Sequence, residues 1–147
     1  MPVKKFLAIA LVAGVLVSGC ESVSSNPEKE IGPAGDLIGT SWLATDIVGK
    51  GMAEGAKSTL DFVEAGRVAG RGGCNRFFGA VTIDGHSIEF GKIGSTMMAC
   101  PPPMMEQEKR YLDALGQAKR FEVKDGMLFI YGTGPVPVIQ FTQTEPE

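Results

Sequence analysis

Apolar residues fall into three regimes along this chain. They run almost unbroken from Phe6 to Val17 and nearly vanish from Glu21 to Asp36. From Leu37 onward they return in short bursts, mostly alternating with polar residues. Alternation with a period of two predicts half-buried strands. Ser41–Val48 carries Trp42, Leu43, Ile47 and Val48, and Ser58–Val63 alternates Leu60 and Phe62 with polar positions before turning at Glu64-Ala65-Gly66. Ala80–Ile83 and His86–Phe90 flank Asp84-Gly85; Arg120–Lys124 and Met127–Tyr131 flank Asp125-Gly126. Both dipeptides signal two-residue type I′ hairpins. Val138–Phe141 offers a last strand, with Pro135 and Pro137 suited to its edge.

One segment departs from this period. Met104–Ala118 places Met104, Met105, Tyr111, Leu112 and Leu115 on one face of a helix. Pro101–Pro103 lie just ahead, where a missing N–H costs little. Glu106 and Glu108 then sit near the positive helix end, and Gly116 can terminate the helix. About seven to eight short strands and one amphipathic helix give an α+β, β-dominated class.

The first apolar run follows Lys4 and Lys5 and ends in small residues. It reads as a secretory signal peptide, too short to span a bilayer as a helix of roughly 20 residues. Val17-Ser18-Gly19-Cys20 resembles the lipobox of bacterial lipoproteins. The resemblance implies cleavage after residue 19 and a diacylglycerol thioether on Cys20, with N-acylation (palmitate or a similar chain) of the new N-terminus. Glu21 in place of Asp is compatible with sorting to the periplasmic face of the outer membrane. Two or more acyl chains make a lasting anchor, whereas one does not. The expected organisation is a signal peptide over 1–19, a lipidated N-terminus and tether over 20–36, and a folded domain over 37–143. The tether, rich in Ser, Pro, Gly and charge, behaves as a coil spanning roughly 20–25 Å.

Two of the 14 basic residues belong to the leader, which leaves twelve against 17 acidic ones, a mature charge of −5. No basic cluster is present to hold nucleic acid or an anionic lipid surface.

The strongest internal motif is Gly70-Arg71-Gly72-Gly73-Cys74-Asn75-Arg76-Phe77-Phe78-Gly79, followed by Ser95-Thr96-Met97-Met98-Ala99-Cys100. With the Trp42 start, the Asp84-Gly85 hairpin, the helix and the terminal hairpin, these residues resemble the META domain family of HslJ-like bacterial lipoproteins, over about Leu37 to Thr142. The resemblance implies a compact antiparallel sheet or partly closed barrel with one main helix. It brings no catalytic mechanism, because the family is known by its associations with stress, drug tolerance and secretion.

Each chemical reading of the motif has a plainer rival. A phosphate-binding glycine loop needs a strand before it and a helix after it; here strand-like sequence follows. Gly70, Gly73, Asn75 and Gly79 are therefore read as structural turn or bulge positions, with Asn75 bonding neighbouring backbone. Cys74 and Cys100, left as a pair once Cys20 is lipidated, are most simply a disulfide in an exported protein, with two reduced buried thiols as the alternative. Zinc lacks enough ligands. Met97, Met98, Met104 and Met105 with Cys100 could suit Cu(I), but core packing is the better reading, since methionine fills irregular cores. No metal or other cofactor is expected.

His86 is the one histidine. It is expected exposed on a strand, and the carboxylate pairs Asp61/Glu64 and Glu106/Glu108 are expected to be solvated. The reading is a non-enzymatic envelope lipoprotein, anchored to membrane by its lipid and contacting an unidentified envelope protein. Two alternatives stay open: a module holding a small hydrophobic ligand between sheet and helix, and a protease inhibitor using the 50–57 or 132–137 loop.

Overall fold

The computed structural model describes residues 37–146. The signal peptide, Cys20 and the tether lie outside the described residues. Eight antiparallel strands follow one another round a closed barrel: β1 (Ser41–Ile47), β2 (Thr59–Glu64), β3 (Arg67–Arg71), β4 (Arg76–Asp84), β5 (Ser87–Ser95), β6 (Arg120–Lys124), β7 (Met127–Tyr131) and β8 (Pro137–Thr144). The last strand returns to the first, from Ser41↔Thr144 to Ile47↔Ile139. One helix, α1 (Pro102–Gly116), lies between β5 and β6 in the sequence. The β-dominated α+β class and the barrel both follow the sequence reading. Folded structure continues one residue past the expected limit of 143, to Thr144.

Alternation builds the core. Inward-facing Trp42, Leu60, Phe62, Phe77, Ile88, Leu128, Ile130, Ile139 and Phe141 are all nearly or fully buried. The helix adds Tyr111, Ala114 and Leu115, and the Tyr111 ring packs 5.9 Å from Phe77 and 6.2 Å from Phe141 between centroids. Trp42 is fully buried, so its indole N–H needs a partner. It donates to the Thr40 hydroxyl at 2.7 Å, and Thr40 donates to the Leu37 carbonyl.

The strand junctions differ from expectation in instructive ways. Asp125 and Gly126 have φ of 52° and 72°, as a type I′ turn requires. In the other hairpin the turn residues are Gly85 and His86, and only Gly85 has positive φ, so His86 belongs to the turn and not to a strand. β3 occupies sequence read as turn or loop, while β4 and β5 are each longer than expected. The helix starts two residues early because Pro102 and Pro103 take its first positions. It ends at Gly116 without a left-handed cap, since Gln117 is in the right-handed region.

The barrel is sewn unevenly. β4 and β5 pair along almost their whole length, yet β5 and β6 share a single register pair, Ser87↔Arg120. Two backbone bonds, Ile88 N–H to the Lys119 carbonyl and Phe121 N–H to the His86 carbonyl, complete that seam.

Candidate functional site

The β3–β4 connection, Gly72-Gly73-Cys74-Asn75, folds directly onto α1. Glu108, only 7% exposed, turns its carboxylate into this connection. It accepts from the Cys74 N–H at 3.0 Å, from the Asn75 N–H, and from Asn75 Nδ2 at 2.8 Å. Burying a carboxylate is expensive unless such bonds replace its hydration, and bonds to an ionised acceptor are the stronger kind. Consecutive backbone N–H groups aimed at one acceptor form the anion-holding concavity known as a nest. Here the anion is the protein's own.

Close approach explains the glycines. A Cβ at Gly72 would lie 2.6 Å from Glu108 Cγ, and one at Gly73 would lie 2.7 Å from the Met104 carbonyl oxygen. Of the positions read as turn or bulge, Gly73 and Asn75 lie in the β3–β4 connection, and Gly79 stands where the β4–β5 register shifts. Gly70 sits within β3 and Gly79 within β4, and none of the four has a left-handed φ. The connection itself is tight, closed by Gly72 N–H to the Asn75 carbonyl at 2.9 Å.

Asn75 is 2% exposed and uses its side chain for more than neighbouring backbone. Its Oδ1 accepts from Thr96 Oγ1 at 2.9 Å and from the Met98 N–H at 2.6 Å. Its Nδ2 donates to Glu108 and, at 3.3 Å, to the Met98 carbonyl. All the bonding capacity of the amide is used. The Cys74–Cys100 disulfide, with Cα atoms 6.0 Å apart, fastens the same two segments covalently. The β3–β4 connection, the 96–100 segment and the helix are thus tied at one point.

The helix residue before Glu108 makes a parallel tie. Gln107 is fully buried; its Oε1 accepts from the Ala53 N–H at 2.6 Å and its Nε2 donates to Ser58 Oγ at 3.0 Å. Ser58 in turn donates to the Gly72 carbonyl. One turn on, the Tyr111 hydroxyl donates to the Thr59 carbonyl at 3.0 Å. Burial, and secondarily the charge of Asp61, hold that hydroxyl well above its usual range, so it stays a donor.

These bonds overturn two expectations. Glu108 is not a solvated charge, although Glu106 is exposed. Met97, Met98 and Met105 do not pack in the core: they are 97%, 54% and 37% exposed. The backbone around Met98 is held by Asn75, which leaves both side chains outside. The inner helix face is Gln107, Glu108, Tyr111, Ala114 and Leu115, rotated away from Met105. Phe78, 65% exposed, adds an aromatic ring to the apolar exterior.

The remaining polar candidates do not converge. His86 packs against the Phe121 ring at 6.1 Å, and Glu64 pairs with Arg67 at 2.8 Å on the surface. Among the described residues no group of three or more His, Cys, Asp and Glu is placed to hold a metal ion, and the two cysteines are tied up in the disulfide. A surface depression of about 490 Å³ lies between the residues following Leu37 and the end of β8. The space between helix and sheet is filled by Tyr111, Phe77 and Phe141. Of the two loops considered for inhibition, 50–57 is drawn onto the helix through Ala53 and through Gly51, whose carbonyl accepts from Arg110. The 132–137 loop leaves Val136 71% exposed.

Sequence reasoning passed over Gln107 and placed Glu108 in solvent, yet a signal existed. Glu108 precedes Tyr111 by three residues and Leu115 by seven, which places it on their face of the helix.

Comparison with known proteins agrees with this architecture. A family model described as "META domain" matches residues 35–145. An NMR structure of a protein from Burkholderia xenovorans is similar at 27% identity, over 75% of this chain and 85% of that one, with a TM-score of 0.61. A second NMR structure shares the fold at 16% identity, over 71% and 88% of the two chains, with a TM-score of 0.57. No curated protein matches the sequence.

Proposed function

This chain belongs to the META domain family, and on that premise we propose that it is a lipid-anchored accessory of the cell envelope that acts by protein contact and not by catalysis. One observation carries the reading. The buried side chain of the motif, Asn75, spends its bonds on Glu108, Thr96 and Met98, whereas the same motif turns Phe78, Met97 and Met98 outward. Aromatic residues and methionine are enriched at interfaces, and a cluster of exposed apolar side chains marks contact surfaces.

The anchor rests on the lipobox-like Val17–Cys20, and no described helix is long and apolar enough to cross a membrane. The filled space between helix and sheet weighs against the hydrophobic-ligand alternative. The test is a photo-crosslinking residue placed in the full-length chain in cells, at Met97 or, as a control, at the exposed Lys124. Protein adducts confined to Met97, with membrane fractionation lost in Cys20→Ala, are expected; adducts equally frequent from both positions overturn the reading.

A further inference from the structure

We propose that the outer face of β3 and β4 receives an acidic, apolar segment of a partner protein, held by Arg71, Arg76 and Phe78. The inference rests on the protein-contact reading and names the chemistry of that contact. Register places Arg71 directly opposite Arg76, and Ala69 opposite Phe78. Residues directly opposite share a face of the sheet, as do residues two apart on a strand. Phe77, between Arg76 and Phe78, is buried, so its two neighbours point outward. The four side chains form a square, with Arg71 and Ala69 on β3 facing Arg76 and Phe78 on β4.

Like charges directly opposite destabilise a sheet. A chain with more acidic than basic residues could readily neutralise such a pair, yet this one does not. Among the described residues the ion pairs are Arg67–Glu64, Lys109–Asp113 and Lys119–Glu89, and neither Arg71 nor Arg76 takes part. Their guanidinium groups make no hydrogen bond to another described residue. The neighbouring acid is Asp61, set opposite Ala69 one row away. A depression of about 120 Å³ opens among Thr59, Asp61, Arg71 and Arg76.

The apolar half of the surface continues from Phe78. Its ring lies over Gly94 on β5, where a Cβ would come within 3.1 Å of the ring. The strand then leads into Thr96, Met97 and Met98. Guanidinium forks match carboxylates in geometry, and arginine with aromatic residues dominates the energetics of interfaces. A free phosphate would use the arginines and leave Phe78 and Met97 idle. An anionic bilayer would call for a basic cluster that this acidic chain lacks. A peptide carrying acidic and apolar residues together uses every part.

The experiment crosslinks from position 97 of the full-length chain in cells and identifies the captured segment by mass spectrometry. It compares the parent with Arg71→Glu/Arg76→Glu and with Arg71→Lys/Arg76→Lys. Arg76 is exposed and Arg71 half-buried on the outer face, so an unchanged melting temperature checks each variant. Expected is a captured protein segment with Asp or Glu beside apolar residues. Its yield should fall on the order of tenfold on charge reversal and recover in part with lysine. If protein adducts persist after charge reversal, the acidic partner is wrong while the contact reading stands. Adducts only to lipid, or only to a second copy of this chain, also overturn the proposal, as does inorganic phosphate perturbing the Arg71 and Arg76 resonances of the purified chain at micromolar concentration. Failure to capture any protein from position 97 removes both readings.

Discussion

The Glu108 carboxylate and the Asn75 side-chain amide meet at 2.8 Å across 33 residues of sequence. That bond joins helix to barrel, and through Asn75 it reaches the 96–98 segment as well. Replacing Glu108 with Gln keeps the shape but sets an amide donor against the donors of Cys74 or Asn75. Unfolding in urea should show a loss of about 2–3 kcal/mol. Asn75→Ala, which strands the Thr96 hydroxyl, the Met98 N–H and one Glu108 oxygen, should lose at least as much.

Cys74 and Cys100 restrict the unfolded chain by closing a loop over a sequence separation of 26. Reduction, or Cys74→Ser with Cys100→Ser, should destabilise the domain by about 3–4 kcal/mol in the chain-entropy account. Because Asn75 and Glu108 still tie the same segments, circular dichroism should report native secondary structure in the reduced chain under mild conditions.

Tyr111 makes stability depend on alkaline pH. Its folded hydroxyl titrates well above the ordinary value of 10.0, chiefly because it is buried. The unfolded chain releases this proton first, so the contribution is complete below about pH 10 and is lost as pH rises toward the folded value. The slope reaches about 1.4 kcal/mol per pH unit. Tyr111→Phe should lose about 1 kcal/mol at neutral pH through the missing bond to Thr59, and should show a flatter alkaline limb in denaturation midpoints.

Met97 and Met98 should be the first described methionines oxidised by hydrogen peroxide, ahead of the half-buried Met52, Met104 and Met127. Each thioether takes one oxygen from the peroxide, which leaves as water. Peptide mass mapping gives the order. The melting temperature should hardly change, because the segment is fastened through its backbone and both side chains face outward.

Local chemistry made much of this fold legible. Asp125-Gly126 announced its turn, the spacing of Tyr111 and Leu115 announced the helix, and alternation supplied most strands. β3 stayed hidden because Arg-Val-Ala-Gly-Arg has one large apolar residue, and Gly70 with the Gly72-Gly73 that follows looked like turn formers. Gly70 is in fact there because a side chain would strike the Thr59 carbonyl. The site was harder to read for a related reason. Glu108 lay in register with the core face, but its polarity suggested solvent until the fold brought Asn75 against it. The methionines misled in the opposite direction: composition suggested a core, and only the bonds that fix Met98 show why its side chain stands outside.

The central claim is that the inward polar groups of the motif tie helix to barrel while its outward apolar side chains meet a partner. It is tested most directly by measuring crosslinked adduct from position 98 of the full-length chain in cells, with and without Phe78→Ser and Met97→Ser. The account predicts that the double variant keeps its melting temperature and loses its protein adduct. An adduct of undiminished yield from a fully folded double variant would contradict it.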